Sequence, residues 1–142
     1  FPAENLELLT SYVFNNKKNK CIMGIREKKD RVINVIGSRI SGMICNFIYN
    51  SKLKDFNSAL KIIDTKLLKS IKLEAKKMNY STDVTAKLLE KNILIKELKI
   101  KHNKRLKGNS SSKFFITSFS RLIFILYLAI RKVLIKFKIL FV

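Results

Sequence analysis

Tryptophan is absent from the sequence, proline occurs once, at Pro2, and glycine only four times, at positions 24, 37, 42 and 108. Those glycines lack the close spacing of a phosphate-binding loop or a dinucleotide fingerprint, in which clustered glycines let backbone N–H groups approach phosphate oxygens. The stretch Val35–Gly42 holds two of them five positions apart rather than the three of a GxxG loop, which excludes that motif too. Cysteine occurs twice, as Cys21 and Cys45, with neither a CxxC pair nor a nearby histidine, which argues against a zinc site or a structural disulfide. Two reduced thiols are expected, with Cys45 in a core. The single histidine, His102, lies among Lys99, Lys101, Lys104 and Arg105. Neighbouring cations keep an imidazole neutral, and no nucleophile, base and acid assemble around it. Acids are scarce, ten in all. Asp64, Glu74, Asp83, Glu90 and Glu97 are spread along two lysine-rich stretches, as helix-surface partners of lysines are, and do not form a ligand cluster. These absences exclude the familiar enzyme classes; no cofactor, metal or small-molecule substrate is expected. No secretory signal is expected from the first residues.

What the chain has in excess is positive charge. Thirty Lys and Arg against ten acids give +20 over 142 residues and a pI near 10.2. A compact domain with this charge repels itself, and a polyanionic partner relieves the repulsion and gains from counterion release. Yet 47% of the residues are hydrophobic, ten of them Phe, unlike a disordered basic tail. Such a chain folds against something negative: RNA or an anionic membrane surface. The abundance of Lys, Asn, Ile, Leu and Phe matches AT-rich codons, a bias common in organellar genomes.

Hydrophobic periodicity predicts a mainly α chain. Pro2, Glu4 and Glu7 suit a first helical turn, and Leu6, Leu9 and Val13 continue a helix to about Asn15–Asn16. Cys21–Ile25 reads as a short strand or an undefined segment. Over 31–50, Val32, Val35, Ile36, Ile40, Met43, Ile44, Phe47 and Ile48 recur at helical spacing behind Asp30 as a cap. The rival is a strand at 32–36 followed by a helix. Residues 55–79 read as the clearest helix, capped by Asp55, with Phe56, Leu60, Ile63, Leu67 and Ile71 on one stripe. A second helix over 83–105 starts after the cap cluster Ser81–Thr82–Asp83. Together they predict an αα-hairpin joined at Met78–Asp83. The expected organisation is a helical RNA-binding body over 1–107, a linker at 108–113, and a basic, apolar helical extension over 114–142 that leaves the body.

That last segment admits three readings. Leu122–Ile130 is nine apolar residues in a row, but a spanning helix needs about 20 with few charges. Arg121 interrupts the stretch and Arg131–Lys132 closes it, and an Arg in hydrocarbon costs about 2.5 kcal/mol or more. The alternatives to a span are a helix packed on neighbours with its arginines on phosphates, and an amphipathic helix lying on an anionic membrane.

Two basic patches are the candidate phosphate contacts. The first holds Lys17, Lys18, Lys20, Arg26 and Lys28. The second holds Lys99, Lys101, Lys104, Arg105 and Lys107, followed by Lys113, with Arg121, Arg131 and Lys132 further on. From Leu98 onward there are eleven Lys or Arg and no acid. The four tyrosines are scattered and no aromatic base-stacking motif appears, so recognition of RNA shape and phosphate is expected rather than base readout.

These features predict a structural constituent of an organellar, mitochondrial ribosome, located in the matrix, with ribosomal RNA and neighbouring ribosomal proteins as partners. The alternative is a small accessory subunit of a mitochondrial inner-membrane complex anchored by residues 114–135. A DNA-binding architectural protein is a third reading, weakened by the lack of a helix with Asn, Gln and Arg on one face.

Overall fold

The computed structural model describes residues 2–16, 18–26, 32–75, 79–101 and 114–137, with the backbone alone at 26, 32–36 and 114–116. Five helices and a three-stranded mixed sheet occur among them, so the chain is mainly α.

Helix α1 (Ala3–Asn15) begins behind Pro2, whose extended backbone (φ −60°, ψ 148°) occupies the cap position, with Glu4 in the first turn. Strand β1 (Cys21–Arg26) follows, then α2 (Val32–Tyr49). The helix at 32–49 is therefore continuous, and the rival strand at 32–36 is not formed. Asp30 lies outside the described residues. Asn50 ends α2 with φ 48°, while the N–H groups of Asn50 and Ser51 close onto the carbonyls of Phe47 and Asn46. This left-handed stop satisfies the last carbonyls of the helix.

The helix expected over 55–79 is not there. Asp55 is buried in a turn instead of capping a helix. The segment continues as β2 (Lys61–Ile63), a five-residue helix α3 (Thr65–Lys69) capped by the Asp64 carboxylate on Leu67 N–H at 3.0 Å, and an irregular stretch to residue 75. Tertiary pairing outweighs the helical stripe: Ile62 and Ile63, β-branched, pair antiparallel with Ile22 and Cys21. The second expected helix is also divided. Helix α4 (Tyr80–Glu90) stops at Asn92, φ 55°, where the N–H groups of Asn92 and Ile93 bond to the carbonyls of Leu89 and Leu88. The chain then forms β3 (Ile95–Ile100), paired in parallel with β1 from Cys21↔Ile95 to Arg26↔Ile100. The hairpin of 55–79 and 83–105 is thus replaced by the order β2, α3, α4, β3; residues 76–78 and 102–105 lie outside the described ones. Ser81, Thr82 and Asp83 sit within the first turn of α4 and do not precede it.

The sheet order is β2-β1-β3. Alternation sends Cys21 and Met23 of β1 to one face, where they pack with Val84 and Leu88 of α4, Ile71 and Ile95. Ile22 and Gly24 turn to the other face, the side on which Ile100 lies against Gly24, and both faces of β1 are buried. Helix α1 contacts β1, with Leu9 wholly buried. On the far side of α4 a second core joins Cys45 and Tyr49 of α2, Phe56, Ala86 of α4, and Ile125 and Leu128 of the last helix, α5 (Phe114–Lys136). Helix α4 is consequently buried along nearly its whole length, from Thr82 to Leu88. Each fully buried Leu or Val in it contributes about 1.5–3 kcal/mol.

Helix α5 packs on α2 and does not leave the body over the described residues. It runs parallel to α4: Asn79 donates to Ser120 O (3.2 Å) at one end and Arg131 bonds Glu90 (3.1 Å) at the other, both pairs 41 positions apart. No helix among the described residues is long and apolar enough to cross a membrane. The linker read at 108–113 lies outside the described residues.

Candidate nucleic-acid interface

The parallel pairing of β1 with β3 redistributes the two basic patches. The first patch is split along β1. Lys18 and Lys20, both exposed, precede the strand, and Arg26 ends it. At the leading end, Lys20 O accepts the Asp64 N–H at 2.9 Å. This bond brings Lys20 beside α3, whose Lys66 and Lys69 are exposed, as is Lys72 just beyond. On a single long helix over 55–79 those three lysines would form a solvated back; the observed fold makes them part of a basic end of the sheet.

At the other end, Arg26 is in register with Ile100, so the backbone at Arg26 adjoins Lys99 and Lys101. The structure therefore unites the trailing half of the first patch with the leading half of the second. Lys99 and Lys101 are exposed. Lys101 Nζ reaches Glu4 at 3.0 Å, but both side chains are about two-thirds or more in solvent (75% and 68% exposed), so this pair is weak and open to competition by phosphate. A residue outside both patches fixes this end: buried Asn5 donates its amide to Lys101 O (2.7 Å) and accepts from Lys101 N–H (3.0 Å). The side chain of Asn5 thereby imitates a neighbouring strand at the point where β3 runs into the basic segment. Nothing in the spacing around Asn5 signals this. Lys17, Lys28, Lys104, Arg105, Lys107, Lys113 and His102 lie outside the described residues.

Arg131 has a different place from the one expected. It is buried, and its Nε lies 3.1 Å from both carboxylate oxygens of Glu90, which also accepts the Tyr49 hydroxyl at 3.0 Å. A second carboxylate, Glu74, lies 3.6 Å from Arg131 Nη1, accepts Lys87 Nζ at 2.6 Å, and accepts the Tyr127 hydroxyl. Two cations and two carboxylates thus neutralise one another between α4, α5 and the 70–75 segment. Burial tends to raise the Glu74 pKa, but the bonds from Lys87 and Tyr127 and the charge of Arg131 outweigh it and hold the carboxyl below its ordinary value. Burial, reinforced by Glu90, pushes the Tyr49 phenol up; burial and Glu74 raise Tyr127 to about 12. Arg131 is committed to this network and is not presented to a phosphate. Lys132, half-buried, holds its ammonium 5.4 Å from the centroid of the Tyr49 ring, a cation–π contact. Arg121 is half-buried and close enough to lower the charge cost at Cys45.

The acids also differ from the solvated partners expected. Asp83 is wholly buried and accepts the N–H groups of Glu74 and Ala75 at 2.6 and 2.8 Å, and Glu97 accepts from Lys54 N–H at 2.8 Å. They tie loops to the sheet and to α4. The Asp64 carboxylate, by contrast, caps α3.

Two further groupings have polar side chains gathered in one place. Lys61 Nζ bonds Ser81 Oγ (2.8 Å) and the carbonyls of Ser81 and Ser58, and burial lowers its pKa to about 8. Ser81 Oγ donates in turn to the Ser58 carbonyl. These bonds fasten β2 to the first turn of α4. An open depression of about 490 Å³ is lined by Glu74, Asn79, Ser120, Ile123, Phe124 and Tyr127. Its carboxylate is already engaged by Lys87 and Tyr127. No group of His, Cys, Asp and Glu suited to a metal occurs among the described residues. No known family, no curated protein and no solved structure matches the chain.

Proposed function

We propose that the protein is a structural constituent of an organellar ribosome, the mitochondrial one, that binds ribosomal RNA by neutralising phosphates and holding RNA helices in place. The observation that carries this reading is a charge of +20 with exposed lysines at both ends of one small sheet: Lys18, Lys20, Lys66 and Lys69 at one, Lys99 and Lys101 at the other. Cations separated by a rigid sheet suit two phosphate backbones, or two turns of one, better than a single small anion. The neutral network around Arg131 and the buried α4 supply the rigid body on which those lysines stand. Neighbouring ribosomal proteins are the further partners in this proposal, and the matrix is its compartment.

Sedimentation of gently lysed organelles in high salt without detergent, with and without RNase, tests the reading. Co-migration with ribosomal particles that RNase abolishes is the expected result. Absence from the ribosomal particles, with or without RNase, overturns it.

A further inference from the structure

Helix α5 has its amphipathicity reversed. Three of its four charged side chains, Arg121, Arg131 and Lys132, are half-buried or buried, whereas Phe119, Leu122, Leu126, Ile130, Val133 and Phe137 are each at least half exposed. Those six positions recur at three and four, so they form one stripe about five turns long. The stripe offers no hydrogen-bonding group, since the Tyr127 hydroxyl beside it turns inward to Glu74. Adjoining α2 repeats the pattern with Ile40, Met43 and Phe47, the last 88% exposed. A stripe of this length is more than the singly scattered apolar side chains of an ordinary surface, which need no partner.

We infer that this α5 face docks on the surface of an anionic phospholipid bilayer, with the helix lying in the plane of the interface. Charge selects this occupant. Helices α2 and α5 contain no Asp or Glu; Arg131 is neutralised inside the body, but Arg39 and Lys136 are exposed and Arg121 and Lys132 half-buried. A second copy brings another +20 toward the first. A specific protein interface carries about one hydrogen bond per 100–200 Å², and the stripe has no group to make one. Phospholipid acyl chains ask for none, and acidic headgroups meet the flanking cations. RNA is met by other residues, at the ends of the sheet, so this inference stands apart from the ribosomal reading.

The test is flotation of the full chain with vesicles of phosphatidylcholine alone, or of phosphatidylcholine with about a third phosphatidylglycerol, in moderate salt. Flotation with the anionic vesicles, about tenfold or more above the neutral ones, is expected. The double substitution Leu126→Glu and Ile130→Glu should reduce it about tenfold or more, with the far-UV circular dichroism unchanged, because both side chains lie on the exposed stripe. Lys136→Ser, which removes only an exposed charge, should weaken binding to the anionic vesicles alone. Absence of flotation, or flotation indifferent to the double substitution, overturns the inference. So does a dimer in sedimentation equilibrium that the double substitution dissolves without any vesicle binding, which makes the stripe a self-interface. RNA binding measured on the same preparations separates the two proposals: flotation that fails while RNA binding persists counts against the lipid face alone.

Discussion

Arg131 and Glu90 illustrate how far a single side chain's surroundings set its role. Both are buried, and the Arg131 guanidinium meets both Glu90 carboxylate oxygens. Truncating one member leaves the other charge stranded, so Arg131→Ala should destabilise the protein by about 3–5 kcal/mol in urea unfolding. Lys136→Ala, on the same helix but exposed, should stay within about 0.5 kcal/mol. The pH dependence has a definite sign. The Glu74 pKa is depressed in the folded state, so its contribution is present above the ordinary glutamate pKa and is lost as pH falls through the lower folded value. Stability should therefore decline on acidification below the usual glutamate range, near about 4.3, and Glu74→Gln should flatten that decline. Burial pushes both thiols, Cys21 and Cys45, up to about 11. A thiol titration at neutral pH should find almost no reaction in the native state and both cysteines in denaturant.

At the scale of elements, the most constrained contact is between β1 and β3. A Cβ built on Gly24 meets Ile100 Cδ1 at 2.8 Å and Cγ2 at 3.0 Å. Gly24→Ala should force Ile100 to another position and cost about 1–3 kcal/mol, read as a lower urea midpoint at unchanged slope. The helix stops at Asn50 and Asn92 are legible in principle, since asparagine takes the left-handed conformation more readily than most residues. Periodicity does end one helix near Asn50, but it runs the other through Asn92, because the lysine-rich stripe continues past that residue. The 55–79 stripe misleads for a related reason. A lysine-rich run with Ile and Leu at three and four satisfies a helix by itself, and only an available partner, the edge of β1, makes Lys61–Ile63 a strand.

For the whole molecule, different surfaces carry different chemistry: lysines at the two ends of the sheet, and exposed apolar side chains on α2 and α5. Binding to structured RNA should weaken steeply with salt, and replacing Lys99 and Lys101 by Gln should reduce the slope of log K against log salt by about one for each phosphate no longer neutralised. The glutamate substitutions on the α5 stripe should leave that slope unchanged. Filter binding over a salt series measures both.

The excess of cations, the lack of a recognisable catalytic or metal-binding motif, and the three helices at α1, α2 and α5 are all written in the linear order of residues, because charge is additive and long stripes at helical spacing persist in any packing. Folding in three dimensions settled what local pattern leaves open. It paired β1 with both β2 and β3, drawing strands from stretches whose spacing suited helices equally well. It joined Arg26 to Lys99 and Lys101 across a parallel register, withdrew Arg131 into a neutral network, and turned the apolar side of α5 outward. Each of these depends on partners distant in the chain, 41 positions away for Arg131 and Glu90 and 96 for Asn5 and Lys101, and periodicity carries no information about pairings at that separation.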